Sequence, residues 1–176
     1  SYVRQDEVFR STSGGAFYSD KDVTLTLGAF MMRLHRLRAL YDHMNAQQQT
    51  RFATVETAYN LVKSKWYAHY ELKLRQEIDA RIALMQSLLR ECEAQDERCG
   101  ENLASLQLSR TILEELLGEA SNWTVQAVLA DRVQQIDRQL ASHFTPGEFG
   151  PATVLHEVYP QNRYWWLYMT LKAQPA

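Results

Sequence analysis

The stretch that decides the fold is Thr50–Arg98, TRFATVETAYNLVKSKWYAHYELKLRQEIDARIALMQSLLRECEAQDER. Phe52, Val55, Tyr59, Val62 and Trp66 follow alternating steps of three and four, the seam of a left-handed coil. The steps then become fours through Tyr70, Leu74, Ile78 and Ile82, until Met85, Leu89 and Cys92 restore the alternation. A run of fours relaxes or reverses supercoiling locally. No proline interrupts it, because Pro146, Pro151, Pro160 and Pro175 are the only four in the chain. Proline in a helix interior costs a hydrogen bond and clashes with the preceding turn, so residues 1–145 are free to form long helices. A single helix over these 49 residues would be about 73 Å long. The reading is a rod.

Upstream, residues 1–18 are polar, contain Ser11-Thr12-Ser13-Gly14-Gly15 and read as an extended arm. Ser19 with Asp22 resembles a capping box, predicting a helix from Asp20 to about Asn45 with Leu27, Phe30, Met31, Leu34, Leu37, Tyr41 and Met44 on one stripe. The polar run Asn45–Thr50 is the expected break. Downstream, Gly100 reads as a terminator. A third helix is expected from about Glu101 to Leu117, presenting Leu103, Leu106, Leu113, Leu116 and Leu117, with Gly118 at its end. Ser121 or Asn122 can cap a fourth, Trp123 to His143, with Val125, Leu129, Val133, Ile136 and Leu140 on its stripe and Phe144 beyond. Helices three and four together match helix two in length. The expected fold is therefore all-α: a long antiparallel helical hairpin, coiled-coil-like, with an aromatic, proline-containing C-terminal tail. Its segments are an arm (1–18), a long-helix bundle (19–145) and the tail (146–176).

A 45% hydrophobic and 11% aromatic composition excludes general disorder. A formal charge of −2 gives no reason to expect nucleic-acid binding. Charge is uneven, with Arg33, Arg36 and Arg38 around His35, and Glu91, Glu93, Asp96, Glu97 and Glu101 against Arg98. These read as solvated helix faces, or as ends that dock on partners of opposite sign. No stretch approaches the roughly 20 apolar residues of a bilayer span. The N-terminus shows no signal-peptide core. Cys92 and Cys99 on one helix would stand about 10 Å apart along the axis, beyond disulfide reach. Reduced thiols in a reducing compartment are the expectation.

No catalytic constellation emerges. Ferritin-like sites use Glu-x-x-His, but Met32, Leu40, Trp66, Leu140 and Thr153 stand three before the five histidines. There is no phosphate loop, Cys-x-x-Cys or Gly-x-Ser-x-Gly. His69, between Trp66 and Tyr70, reads as an aromatic-packed histidine. No catalytic residue, cofactor or metal is expected.

The tail carries the functional expectation. Tyr159, Pro160, Tyr164, Trp165, Trp166 and Tyr168 crowd together, and large aromatic side chains are typical interface anchors. They either bind a partner or fold back and plug the hairpin, and one tail can do both. Over residues 128–166 the pattern Arg132-Val133-Gln134-Gln135, Leu140, Pro146, then Thr153-Val154-Leu155-His156-Glu157-Val158-Tyr159-Pro160, Tyr164 and Trp165 resembles the C-terminal part of subunit d of the mitochondrial ATP synthase. Glu157-Val158-Tyr159-Pro160 is the most specific element. The family tail carries further prolines, whereas Trp165-Trp166-Leu167 continues without one. The resemblance implies a non-catalytic peripheral-stalk (stator) subunit on the matrix side of the mitochondrial inner membrane. Its partners would be other helical subunits, and it would reach the membrane only through them. The alternative is a self-associating cytoplasmic helical-bundle binding module or regulator.

Overall fold

A computed structural model describes residues 18–20, 23–94, 96–120 and 126–172. The predicted arm lies outside it except for Tyr18, as do Asp22, Ser121, Asn122, Trp123 and Val125. The chain is all-α: among the described residues there are five α-helices and two short antiparallel ladders. The helices are α1 (Leu27–Ala39), α2 (Ala46–Lys65), α3 (Tyr67–Ala94), α4 (Asp96–Glu119) and α5 (Gln126–His143). The ladders pair β1 (Tyr18–Asp20) with β2 (Val23–Leu25), and β3 (Phe144–Pro146) with β4 (Met169–Leu171). By their contacts the residues form two compact units, 1–79 and 80–176. The described part of the aromatic tail lies in the second.

Several element boundaries differ from expectation. The first helix starts at Leu27, because the β-branched run Val23–Thr24 pairs in a hairpin and Thr26 is the N-cap, its hydroxyl accepting from the Ala29 N–H. The break after α1 falls earlier than the polar run, in a 3-10 turn at Tyr41–His43. Asn45 and Gln48 then form a capping box, so the run is the first turn of α2. The long helix is kinked at Trp66 (φ −118°, ψ 36°) and stops at Ala94. Neither glycine terminates α4, which runs through Gly100 and Gly118 to Glu119.

The kink falls where the seam changes step. Beyond Trp66 each step of four turns the stripe by about 40° around the axis, so the buried face of α3 spirals. Tyr70, Leu74, Ile78, Ile82, Met85, Leu89 and Cys92 are all buried. In the first unit, Tyr59 and Tyr70 would stand about 16 Å apart on a straight helix. The kink brings their rings to 6.2 Å and their hydroxyls to 2.7 Å. Phe30 packs on Tyr59 at 5.2 Å, and the Lys63 ammonium lies 5.0 Å from the Tyr70 ring. Glu77 of α3 supplies a further acceptor, and a negative charge, at the start of α1. One of its carboxylate oxygens takes the Gly28 N–H at 2.8 Å, and the other takes the Thr26 hydroxyl.

In the second unit the chain reverses between α3 and α4. Cys92 and Cys99 then face each other across the bend, with Cα atoms 4.4 Å apart, and are joined by a disulfide. The expectation of reduced thiols assumed one continuous helix and fails with it. So does the argument for a reducing compartment.

Candidate functional site

The most organised polar cluster of the second unit is where the tail docks on α4. Gln107, Arg110, Thr111 and Glu114 recur at helical spacing and so share one face. The first three are buried. A 3-10 turn at Trp165–Tyr168 presents Trp166, only 1% exposed, to that face. The indole N–H donates to the Thr111 hydroxyl at 3.0 Å, and that hydroxyl donates to the Gln107 carbonyl at 2.8 Å. The Gln107 carboxamide closes the circuit by donating to the Trp166 carbonyl at 3.1 Å.

Arg110 lies over the indole, 4.0 Å from a ring centroid. Its edge is held bidentately by Asp137 of α5 at 2.8 and 3.1 Å, and Glu114 accepts from its remaining terminal nitrogen at 3.1 Å. A buried cation is costly unless its donors are met. Here the two carboxylates meet the edge, and the ring covers the face.

The backbone of the tail is fixed as tightly. The Gly147 and Gly150 N–H groups donate to the Tyr168 and Leu167 carbonyls at 2.8 and 2.9 Å. A Cβ on Gly147 would come within 2.9 Å of Thr170, so glycine is required for this approach. Lys172 donates to the Ala141 and Ser142 carbonyls at 2.8 and 2.9 Å, satisfying the C-terminal end of α5. Tyr159, Tyr164, Trp165 and Trp166 form a chain of rings with centroids 4.8 to 6.0 Å apart. Tyr168 donates to the Tyr159 carbonyl at 2.7 Å. Burial first, then the charge of Glu115, pushes the Tyr164 phenol well above its ordinary range, and burial raises that of Tyr168. Both stay protonated at ordinary pH.

Of the six predicted partner-binding residues, Tyr159, Tyr164, Trp166 and Tyr168 are buried within their own unit. Trp165 is half-buried and Pro160 exposed. The tail therefore folds back, and of these six residues Pro160 and part of Trp165 stay open to solvent. Sequence reasoning missed Gln107, Arg110, Thr111 and Asp137, because a polar helical face looks like a solvent face until something is known to cover it. The cluster is suited to holding rather than reacting.

Elsewhere, His69 stacks on Trp66 at 5.6 Å and 7°. The basic run is partly neutralised by an Arg38–Glu56 pair at 2.6 Å. Among the described residues no group of three His, Cys, Asp or Glu side chains is placed to hold a metal ion. No helix among them is long and apolar enough to cross a membrane. No family model, curated protein or solved structure matches this chain.

Proposed function

We propose that the chain is a non-catalytic structural subunit of a larger helical assembly, in particular a subunit d-like component of the peripheral stalk of mitochondrial ATP synthase. One observation carries the structural part. The α2 seam has the spacing of a coiled coil, yet only Phe52 and Tyr59 are buried on that 20-residue helix. Val55, Val62 and Trp66 are half-covered, and Leu61 beside them is 68% exposed. A helix from a partner that covered this stripe would remove apolar surface from water, at about 25 cal/mol per Å². The resulting bundle would resist bending, while the internally docked tail keeps the second unit rigid under load. The stalk identity and the matrix-side location rest on the resemblance around Glu157–Pro160. The Cys92–Cys99 disulfide runs against that location, because such bonds persist mainly in oxidising compartments.

The test is native purification of the tagged chain beside a Val55→Glu/Val62→Glu variant. The reading expects other stalk subunits to copurify with the wild type and to be lost from the variant at unchanged helicity. A compact monomer by sedimentation, with no copurifying partner, overturns it. A symmetrical dimer that the variant dissociates would favour the self-associating module.

A further inference from the structure

In the second unit, α3 and α5 flank a cleft of about 550 Å³ lined by Gln86, Arg90, Gln135, Arg138 and Gln139. The spacing within each helix, 86 and 90 on α3 and 135, 138 and 139 on α5, puts each set on one face. Among the described residues the lining contains no carboxylate. Glu93, three residues beyond Arg90, and Asp131, four before Gln135, are outside it. Among the described residues neither Arg90 nor Arg138 forms an ion pair. Two arginines thus line one concavity with no carboxylate beside them among the described residues, an arrangement that favours an anion.

The donors also suit one chemistry. A guanidinium presents a planar fork that takes two oxygens of a phosphate or carboxylate at once, and each glutamine adds an amide donor. The cleft is open, with Gln86, Arg90, Gln135 and Arg138 exposed, so it suits a small, charged ligand more than a buried apolar one. Among the described residues no aromatic ring lines the cleft, so they give a stacked base no platform. We propose that this cleft binds a small molecule bearing two oxyanion groups, a diphosphate or a dicarboxylate, one group to each arginine. The site is independent of the scaffold reading and of the tail.

Isothermal titration of the full chain at low salt tests it, with inorganic pyrophosphate in one arm and succinate in the other. The expected result is saturable one-site binding of at least one probe, and the tighter arm identifies the group. Arg90→Gln/Arg138→Gln should weaken it by about a hundredfold, and Arg90→Lys/Arg138→Lys by about tenfold, since lysine keeps the charge and loses the fork. Both side chains are exposed, so the melting temperature serves as the folding control. If the glutamine pair melts early, the lysine pair decides. No saturable binding of either probe up to about 10 mM, or affinity unchanged in the folded variants, overturns the proposal.

Discussion

Two helices of nearly equal length, α2 in the first unit and α5 in the second, carry the same kind of apolar stripe and meet different fates. The α5 stripe is sealed: Leu129, Val133, Ile136 and Leu140 are all buried. On α2 only Phe52 and Tyr59 are. The difference lies in what the rest of the chain brings to each unit. The second has a hairpin closed by a disulfide, a tail that returns along α4, and an arginine binding α4 to α5 through Asp137. Among the described residues of the first, the fastenings include the aromatic pair at the Trp66 kink, the Glu77 cap and the exposed Arg38–Glu56 pair. Periodicity states which face must be covered. It does not state whether the same chain supplies the cover.

The sharpest way to break the contrast is to remove the plug. Trp166→Ala deletes a buried indole together with its contacts to Thr111 and Arg110, and should cost about 3–5 kcal/mol. Hydrogen exchange should then show α4 and α5 losing protection while the amides of α2 keep theirs. If α2 opens equally, the two units do not differ in how they are held.

A smaller effect is expected at the hairpin bend. Closing a loop this short restricts the unfolded chain modestly, so Cys92→Ser/Cys99→Ser should lower the stability of the second unit by about 2 kcal/mol. Thermal unfolding checks this. Wild type treated with a thiol reductant should match the variant. Unchanged melting in both would mean that the bend holds without its cross-link.

That bend marks where sequence stopped being informative. The stripes of α3, α4 and α5 were legible because apolar residues at helical spacing have few other uses, and Leu106, Leu113, Leu116, Ile136 and Leu140 are buried as read. The all-α class follows from them. The reversal between α3 and α4 was not legible: no proline or glycine stands between them, and Gly100, which reads as a stop, lies inside α4, where a Cβ would meet the Leu171 side chain at 3.8 Å. The disulfide was misread for the same reason, because a spacing of seven is out of reach along a helix and in reach across a bend. The tail's aromatic density was visible, and its direction was not. Trp166 turns inward because Gln107 and Thr111 satisfy its polar atoms, and those two sit 55 or more residues away in sequence.

The finest discriminator between the units is alkaline pH, where they should move in opposite directions. Lys73 on α3 is 2% exposed, and burial pulls its ammonium from the ordinary 10.5 down to about 8. Between those values the unfolded chain holds a proton that the folded one has released, so stability rises with pH. Below about 8 both states are charged, and the cost of burying the cation is fully present. Tyr164 and Tyr168 in the second unit shift the other way. Their phenols are raised by burial above the ordinary 10.0, so their contribution is complete below pH 10 and is lost as pH climbs further. Urea unfolding at steps from about pH 7.5 to 9.5 therefore isolates the lysine. The first unit should gain stability across that range in wild type and stay flat in Lys73→Met, whereas the second should stay level in both and weaken only above pH 10. An equal gain in the methionine variant would assign the rise to another group and remove Lys73 from the contrast.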